Sequence, residues 1–548
     1  MGNSIDVLVV GAGPTGIVAT NELLRRGVKV RWVDSRPGPA GTTRAFTVHA
    51  RTFEAFEHIG IAHKITEVNA FCPGNRFHIE GMNIAEEDMP VLDFRKLENT
   101  RYNFYGKVNQ QDLEQILRNH VANQHSVSPD WNVTCTNLKQ DESGIEVTLE
   151  HENGDTETVN PRYVIGADGV HSIVRKCSDL EMRGDAYTDT ESGDDGYFTM
   201  SMMDVPLEGY SGDDDWINYH FSGDDWMLVT RLPDGNHRVY ISGELEKKMQ
   251  EAEDHSSVFQ EGLDRFAPGT RLMRKQQGTT WKIYRMIADD YSKGNVFLCG
   301  DACHVRSPAG GQGANCCMMD AFNLGWKLAS VIKGGSPDTI LKTYGIERKP
   351  VAEVVQGFAE RQHNVLFDHT RTLEERIQDT KNPVWQEECI NGISGLSHNY
   401  CDNLWQPEGL QALADDSPKP GLRAPNALIS DTPKLWMHDI YRHTRATLLM
   451  LPRTEADQQR CRDLVDQIEQ NYSNSVKCAV VARKRIEDIS IDNSFVQTLD
   501  DLDHWYGKSD QGRLFLIRPD LYVGYASQLD EHVLLQEYLD HWYLKNAG

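Results

Sequence analysis

Apolar and polar positions repeat along this chain with two different periods. Residues 6–10, DVLVV, are a continuous apolar run that ends in the turn GAGPTG. IVATNELLRRG then repeats apolar positions at helical spacing as far as Gly27, and VKVRWVD is a second strand pattern closing on Asp34. The first 34 residues therefore predict a complete strand–helix–strand unit. A further helical pattern lies near 51–60, and QQDLEQILRNHVANQ (110–124) sets Leu113, Leu117 and Val121 on one face. YVIGADG (163–169) and NVFLCGD (295–301) are two more buried-strand patterns, each delivering an aspartate beside a glycine.

Between about 195 and 245 the period becomes two. YFTMSMMDV, WINYHFS, WMLVTRL and HRVYISGE alternate between Asp- and Gly-rich turns, with PDGN (233–236) as a hairpin tip. This predicts an antiparallel sheet with one face toward something buried. After Ala314 a helix carries Cys317, Ala321, Leu324, Leu328 and Val331 along one side until Gly334-Gly335. From about 370 to 420 the periodicity weakens and Pro383, Pro407, Pro418 and Pro420 gather, which predicts a connecting segment. CAVVA (478–482), FVQTL (495–499) and RLFLIRPDLYVGYA (513–526) read as strands and 530–544 as an amphipathic helix, so the tail predicts a separate small α/β domain.

Composition narrows the function classes. The 548 residues are enough for about three domains. Lys and Arg total 56 against 82 Asp and Glu, a formal charge of -26 that repels polyanions, so nucleic acid and anionic membranes are poor partners. Eleven cysteines without a Cys-x-x-Cys pair predict reduced thiols, a cytoplasmic chain and no metal site. The adjacent Cys316 and Cys317 read as packing residues. No stretch reaches the roughly 18 apolar residues of a membrane span, and MGNSID has no apolar signal region.

The chemistry starts at the glycines. Gly11 permits a tight turn, Gly13 lets backbone approach a pyrophosphate at a helix N-terminus, and Gly16 allows close helix packing. Asp34, 23 residues after Gly11, can accept from a ribose hydroxyl, so the nucleotide is FAD or NAD. Asp301 leaves another strand end where a polyol could donate to it, and Gly310, Gly311 and Gly313 clear side chains from a helix start. The amides there, including those of Ala314 and Asn315, attract negative charge such as that of a reduced flavin. A nicotinamide has no use for a second acid and helix end, which selects FAD.

GAGPTG, IGADGVHSIVR and CGDACHVRSPAGGQGANCCMMDAFNLGWKLA, with TRAFTVHARTFEAF and VNQQDLEQIL, resemble the single-component flavin aromatic hydroxylases of the phenol 2-monooxygenase-like branch. GLRAPNAL (421–428) and LIRPDLYVGY (516–525) resemble that branch's thioredoxin-like tail. The resemblance implies an α/β fold. Its Rossmann-like FAD-binding domain would span 1–75, 101–190 and 290–370, with an inserted antiparallel substrate domain over 76–100 and 191–289. A connecting segment over 371–420 and a thioredoxin-like domain over 421–548 complete it. Gly11, Gly13, Gly16 and Asp34 would hold the ADP half of FAD, Arg44 and Gln110 its phosphate and ribityl region, and Asp301 the ribityl chain. Gly313, Ala314 and Asn315 would lie against the ring, and Asp168 would serve both FAD and the nicotinamide. The implied reaction uses NADPH or NADH and O2, passes through a flavin C4a-hydroperoxide, and hydroxylates a phenolic ring in a dry pocket. A homodimer is compatible with it.

Tyr284, in WKIYRMIADDY (281–291), matches a substrate-pocket tyrosine of this branch and is a candidate hydrogen-bond partner for the substrate oxygen. One position departs from the pattern: Phe46 stands where phenol-oxidising members carry an aspartate base. His220 and His49 are candidate substitutes. Simple phenol is then a poor substrate, and a larger, more acidic or already substituted aromatic is easier to accept. The Trp-x-Trp-x-Ile-Pro segment of flavin halogenases is absent. Two alternatives stay open at this stage: oxidative dearomatisation or epoxidation of a polyketide-type aromatic by the same cofactor, and an FAD-holding assembly protein without turnover.

Overall fold

The computed structural model describes residues 5–41, 45–79, 91–186, 199–222, 225–306, 309–367, 372–413, 416–486 and 488–546. The fold is mixed α/β. The opening apolar run forms the strand Val7–Val10 inside a six-stranded sheet. In spatial order the strands are Ser292–Lys293, Val296–Leu298, Tyr163–Gly166, Val7–Val10, Val30–Asp34 and Asp130–Trp131. All but the short first one run parallel. Val7–Val10 and Tyr163–Gly166 are buried at every residue, as expected of parallel strands covered on both faces. Parallel order has a second consequence: Gly11, Asp34, Gly166 and Cys299 all leave the sheet at one edge, where ligands of open α/β sheets bind.

The helices Pro14–Leu24 and Gly313–Ile332 pack on each other behind that edge. Their approach is close because Gly325 faces Glu22; a Cβ on Gly325 would sit 2.5 Å from the Glu22 Cβ. The meander Val133–Asp141, Gly144–His151 and Thr156–Val159, not anticipated from the sequence, contacts the strand Val30–Asp34.

The alternating region forms a seven-stranded sheet ordered Thr279–Lys282, Thr199–Val205, His237–Ser242, Asp225–Arg231, Ile217–Ser222, Gly74–Ile79, Val91–Asp93. One face packs Met203, Met227, Val239 and Ile241 against Leu245, Met249, Phe259 and Leu263 of the helices Glu244–Glu251 and His255–Phe266. The expected connecting segment differs from its reading: Leu373–Thr380 and Pro383–Ser394 are helices. Pro383 breaks no helix because it occupies the first turn, where its missing N–H has no partner to lose.

In the tail, Ser494–Val496, Val476–Ala482 and Ala446–Leu451 run parallel and Arg513–Ile517 and Val523–Gln528 antiparallel beside them. A buried ion network ties this sheet to the helix Gly313–Ile332. Glu347 accepts from Lys327 Nζ (2.7 Å) and Arg518 (2.7 Å), while Asn323 Nδ2 donates to Asp520 (3.0 Å). The two cations outweigh the burial that would raise the Glu347 carboxyl, and hold it at about 2. Removing one partner of such a network leaves a buried charge exposed to the other's loss.

Candidate functional site

The three glycines of the first turn have different surroundings. A Cβ on Gly11 (φ +109°) would lie 2.2 Å from the Ala167 carbonyl oxygen, and one on Gly16 would lie 1.9 Å from that of Gly11. Both are closed by the protein itself. A Cβ on Gly13 would meet no protein atom within 4 Å, although this residue is the N-cap of Pro14–Leu24 and carries no capping side chain. An open, uncapped helix N-terminus of this kind is a site for phosphate. Beside it, Asp34 Oδ2 accepts from the Ala12 amide at 2.6 Å, and both carboxylate oxygens pair with the Arg36 guanidinium at 2.9 Å. Burial raises the Asp34 pKa, but the Arg36 and Ala12 hydrogen bonds outweigh it and hold the carboxyl below its ordinary range.

The Gly300-Asp301 turn lies against this helix. A Cβ on Gly300 (φ +67°) would be 2.7 Å from Thr15 Oγ1 and 3.0 Å from Cys317 Cβ, so only glycine lets the turn seat between the two long helices. Asp301 is exposed, with Oδ1 accepting from Cys317 Sγ at 3.4 Å. The helix Gly313–Ile332 starts without a side-chain cap and without an acid in its first turn, and a Cβ on Gly313 would meet nothing within 4 Å. Two open helix starts and an exposed acid thus share one crevice.

Asn315 is not open to that crevice in the way its neighbours are. Its Oδ1 accepts from the His49 amide (3.0 Å) and its Nδ2 donates to the carbonyls of Thr47 (3.0 Å) and Gly311 (3.1 Å), which fixes the glycine turn against the strand Thr47–Val48. Ala314 is half-buried. Gln110 Oε1 accepts from the Ala45 amide at 3.2 Å. Arg44 lies outside the described residues. Asp168 Oδ2 accepts from the amides of Ile173 (2.8 Å) and Val174 (3.3 Å), and burial pushes its carboxyl up. Its Oδ1 is buried without a partner among the described residues.

Cys303, His304 and Asp320 come within 4.8 Å of one another, a grouping that the spacing of the cysteines did not reveal. Their atoms are engaged in hydrogen bonds: Cys303 Sγ donates to Gly300 O (3.2 Å), and His304 Nε2 pairs with Asp320 Oδ2 (2.6 Å) while Arg306 contacts His304 Nδ1.

Residues 4–359 match the family model described as FAD binding domain. The chain is 36% identical to pentachlorophenol 4-monooxygenase of Sphingobium chlorophenolicum, over 98% of this chain and 97% of that protein. The chain belongs to the FAD-dependent aromatic monooxygenases. It is also 32% identical to 6-methylpretetramide 4-monooxygenase of Streptomyces rimosus, over 72% of this chain and 70% of that one. A solved ternary complex of aklavinone-11 hydroxylase with FAD and aklavinone shares the fold, with a TM-score of 0.75, 22% identity, and 98% and 100% of the two chains covered. The cofactor is therefore FAD, with NAD(P)H as co-substrate, and the open cradles at Gly13 and Gly313 fit a ligand of that kind. Among the described residues no helix is long and apolar enough to cross a membrane.

The second face of the seven-stranded sheet of this monooxygenase is aromatic. Strand register puts Phe77, Tyr219, Phe221, Trp226, Tyr240 and Trp281 on one side. Phe46 stands against this wall, 6.1 Å from the Tyr240 ring, and the Arg238 guanidinium lies 5.3 Å from the Phe46 centroid. Arg238 is fully buried and paired with Asp204 through Nε–Oδ1 (2.7 Å) and a second contact to Oδ2 (2.6 Å). Burial keeps Tyr240 protonated, with its pKa raised despite Arg238. Sequence reading did not single out this Asp204–Arg238–Tyr240 cluster, although the two-residue spacing of Arg238 and Tyr240 on one strand was visible.

His220 points the other way. It pairs across the sheet with Met227, on the helix-packed face, stacks on His78 at 4.5 Å and contacts the Tyr210 hydroxyl at 3.2 Å. Burial and the neighbouring His78 push its pKa down to about 3, so it is neutral and structurally engaged. His49 is buried against Tyr105 and is pushed down to about 3 by burial. Tyr284 opens the strand Tyr284–Ala288, which pairs with His304–Val305, and remains 38% exposed.

Proposed function

We propose that this enzyme hydroxylates acidic, ring-substituted phenols lodged between the aromatic wall and FAD. The reading rests on the surroundings of Phe46 at the wall: Phe46 itself carries no base, and the carboxylate nearby, Asp204, is engaged in a two-point pair with the buried Arg238. A phenol that reaches the site already ionised needs no base there. The full-length similarity to pentachlorophenol 4-monooxygenase supports the same class.

When bound, FAD accepts hydride from NAD(P)H and activates O2; the chain contributes binding, orientation and dryness. Gly11 and Gly16 shape the turn, Gly13 admits the pyrophosphate, and Asp34 and Asp301 address the ribose and ribityl hydroxyls. The amides of Gly313 and Ala314 offer the positive end of a helix to the ring's negative edge. Asn315 and Gln110 position the loops beside them, with Arg44 added from the resemblance. Tyr284, three residues after the wall residue Trp281 in sequence, and Tyr240 are the hydrogen-bond donors for the substrate oxygen. His220 is a structural residue in this reading. Asp168 orders the helix Ile173–Cys177 next to the cofactor. The parallel-then-antiparallel tail sheet supports a thioredoxin-like domain, and the six- and seven-stranded sheets support a Rossmann-like domain with an inserted substrate domain.

A panel of phenols of graded acidity, pentachlorophenol among them, tests the proposal through stimulated NAD(P)H oxidation and product mass. Acidic members should give the largest kcat/KM; equal stimulation by phenol itself, or none by any, contradicts it. A polycyclic substrate is the second reading, favoured by the similarity to 6-methylpretetramide 4-monooxygenase.

A further inference from the structure

The strands Thr199–Val205 and Asp225–Arg231 carry four methionines, two on each face of the seven-stranded sheet. Met202 pairs directly with Tyr240 and Met200 with Trp281, so both of these thioethers share the aromatic side. Met203 and Met227 point the other way and pack against the helices Glu244–Glu251 and His255–Phe266. The faces also differ in access. Met200 and Met202 keep 5% and 6% of their surface open, against 1% and 0% for Met203 and Met227, whereas Met273 is 54% exposed to bulk solvent.

The aromatic side continues into the glycine turn. The Tyr240 ring is 6.1 Å from that of Phe46, and the next residue, Thr47, donates from Oγ1 to the Gly311 carbonyl at 3.3 Å. Met202, Tyr240, Phe46 and the turn before the helix Gly313–Ile332 therefore follow one another in space. A thioether is soft and polarizable, and its sulfur takes an oxygen atom from a peroxide. Such an oxidant arises when NAD(P)H is consumed with no phenol to receive oxygen: NAD(P)H, a proton and O2 give NAD(P)+ and hydrogen peroxide.

We infer that Met200 and Met202 are oxidation sites of this enzyme, converted to methionine sulfoxide by the hydrogen peroxide of phenol-free turnover. In that step the O–O bond breaks and an S–O bond forms. Sulfur gives up two electrons, one peroxide oxygen becomes the sulfoxide oxygen, and the other leaves as water with both protons. A sulfoxide is polar and chiral where the wall was apolar, so each conversion spoils the fit for an aromatic ring. The place where the peroxide forms rests on the function proposed above.

Tandem mass spectrometry of peptides from the FAD-loaded protein, after NAD(P)H turnover in air without phenol and with catalase in the bulk, reads each methionine separately. Catalase destroys the peroxide that escapes, so Met200 and Met202 should carry about tenfold more sulfoxide than Met273, because an oxidant released beside the sulfur acts at a high local concentration. Met203 and Met227 should stay unmarked. Hydrogen peroxide added without NAD(P)H should reverse the order and mark Met273 first. The double variant Met200→Leu, Met202→Leu, which nearly conserves volume, should keep a larger share of its own starting rate than the parent does through the same phenol-free turnover. If that variant fails to fold, the map of the parent still decides. Met273 leading during turnover, or Met200 and Met202 marked no more than Met203, overturns the inference, and NAD(P)H consumption in the same sample keeps the oxygenase function standing. NAD(P)H left unconsumed overturns both. Marking at Met200 and Met202 that pentachlorophenol does not suppress supports the oxidation sites and counts against the proposed substrate class.

Discussion

Alanine at Gly13 and alanine at Gly16 should separate a glycine needed by the ligand from one needed by the fold. Gly13 has φ −77° and ψ −178°, a conformation alanine adopts without strain, and its Cβ would meet no protein atom within 4 Å. Gly13→Ala should therefore leave the deflavinated protein within about 1 kcal/mol of the parent, the unfolded chain's lost freedom offsetting the poorer N-cap that alanine makes. At Gly16 the new Cβ would sit 1.9 Å from the Gly11 carbonyl oxygen and 2.9 Å from its carbon, so backbone must move. Overpacking of this kind costs about 1–3 kcal/mol. For FAD the ranking changes. The methyl of Gly13→Ala occupies the approach of the pyrophosphate and displaces about one charge-assisted hydrogen bond, worth about 1.5–3 kcal/mol, which weakens binding about 10- to 150-fold. Urea unfolding of the deflavinated variants and FAD titration by flavin fluorescence read the two quantities independently. A Gly13→Ala protein that binds FAD as tightly as the parent, or that is destabilised as much as Gly16→Ala, refutes the argument that Gly13 is open for the cofactor.

Other expectations follow from the same crevice and wall. Asp301→Ala removes an exposed acceptor whose one internal partner is the weak Cys317 thiol donor, so FAD affinity should fall about 10-fold or more while urea stability of the deflavinated chain changes little; unchanged retention on dialysis would remove Asp301 from the ribityl role. Tyr284→Phe should slow hydroxylation more than flavin reduction in stopped-flow, and equal losses would exclude it from oxygen transfer. His220→Gln should change stability and not the ratio of product formed to NAD(P)H consumed; a selective loss of coupling would restore a catalytic role to His220. Asp320, whose burial is outweighed by His304 and Arg348, is held at about 2, below its ordinary 3.8. Its contribution is present above pH 4 and fades as pH falls toward 2, so the stability gap between parent and Asp320→Asn, about 3–5 kcal/mol at pH 7, should narrow over that window. A gap independent of pH would contradict the ion-pair account.

The parallel core was legible because strands buried on both faces must be apolar throughout, as in DVLVV and YVIGADG. The glycine spacing was legible because few residues other than glycine fit where Gly11 and Gly16 lie. The meander around residues 133–159 was not, since its strands are largely exposed and Val133–Asp141 alternates only partly. The helices at 373–394 were masked by Pro383, which reads as a breaker until its place at a first turn is known. At the site, alternation tells that His220 and Tyr219 face opposite ways, but not which face meets the helices Glu244–Glu251 and His255–Phe266. That depends on tertiary packing, as does the engagement of Asn315 with Thr47 and His49, distant in sequence. The proximity of Gly300 to Thr15 likewise exists only once the two strand ends are brought to the same edge.

This crevice and wall together serve the delivery of oxygen from O2 to a phenolic ring. Turnover of a stimulating phenol under 18O2, with the product weighed by mass spectrometry, addresses it directly. The ring product should carry one heavy oxygen atom for each NAD(P)H oxidised in a coupled turnover. Product oxygen drawn from water, or NAD(P)H oxidation that yields hydrogen peroxide and returns every phenol unchanged, would contradict it.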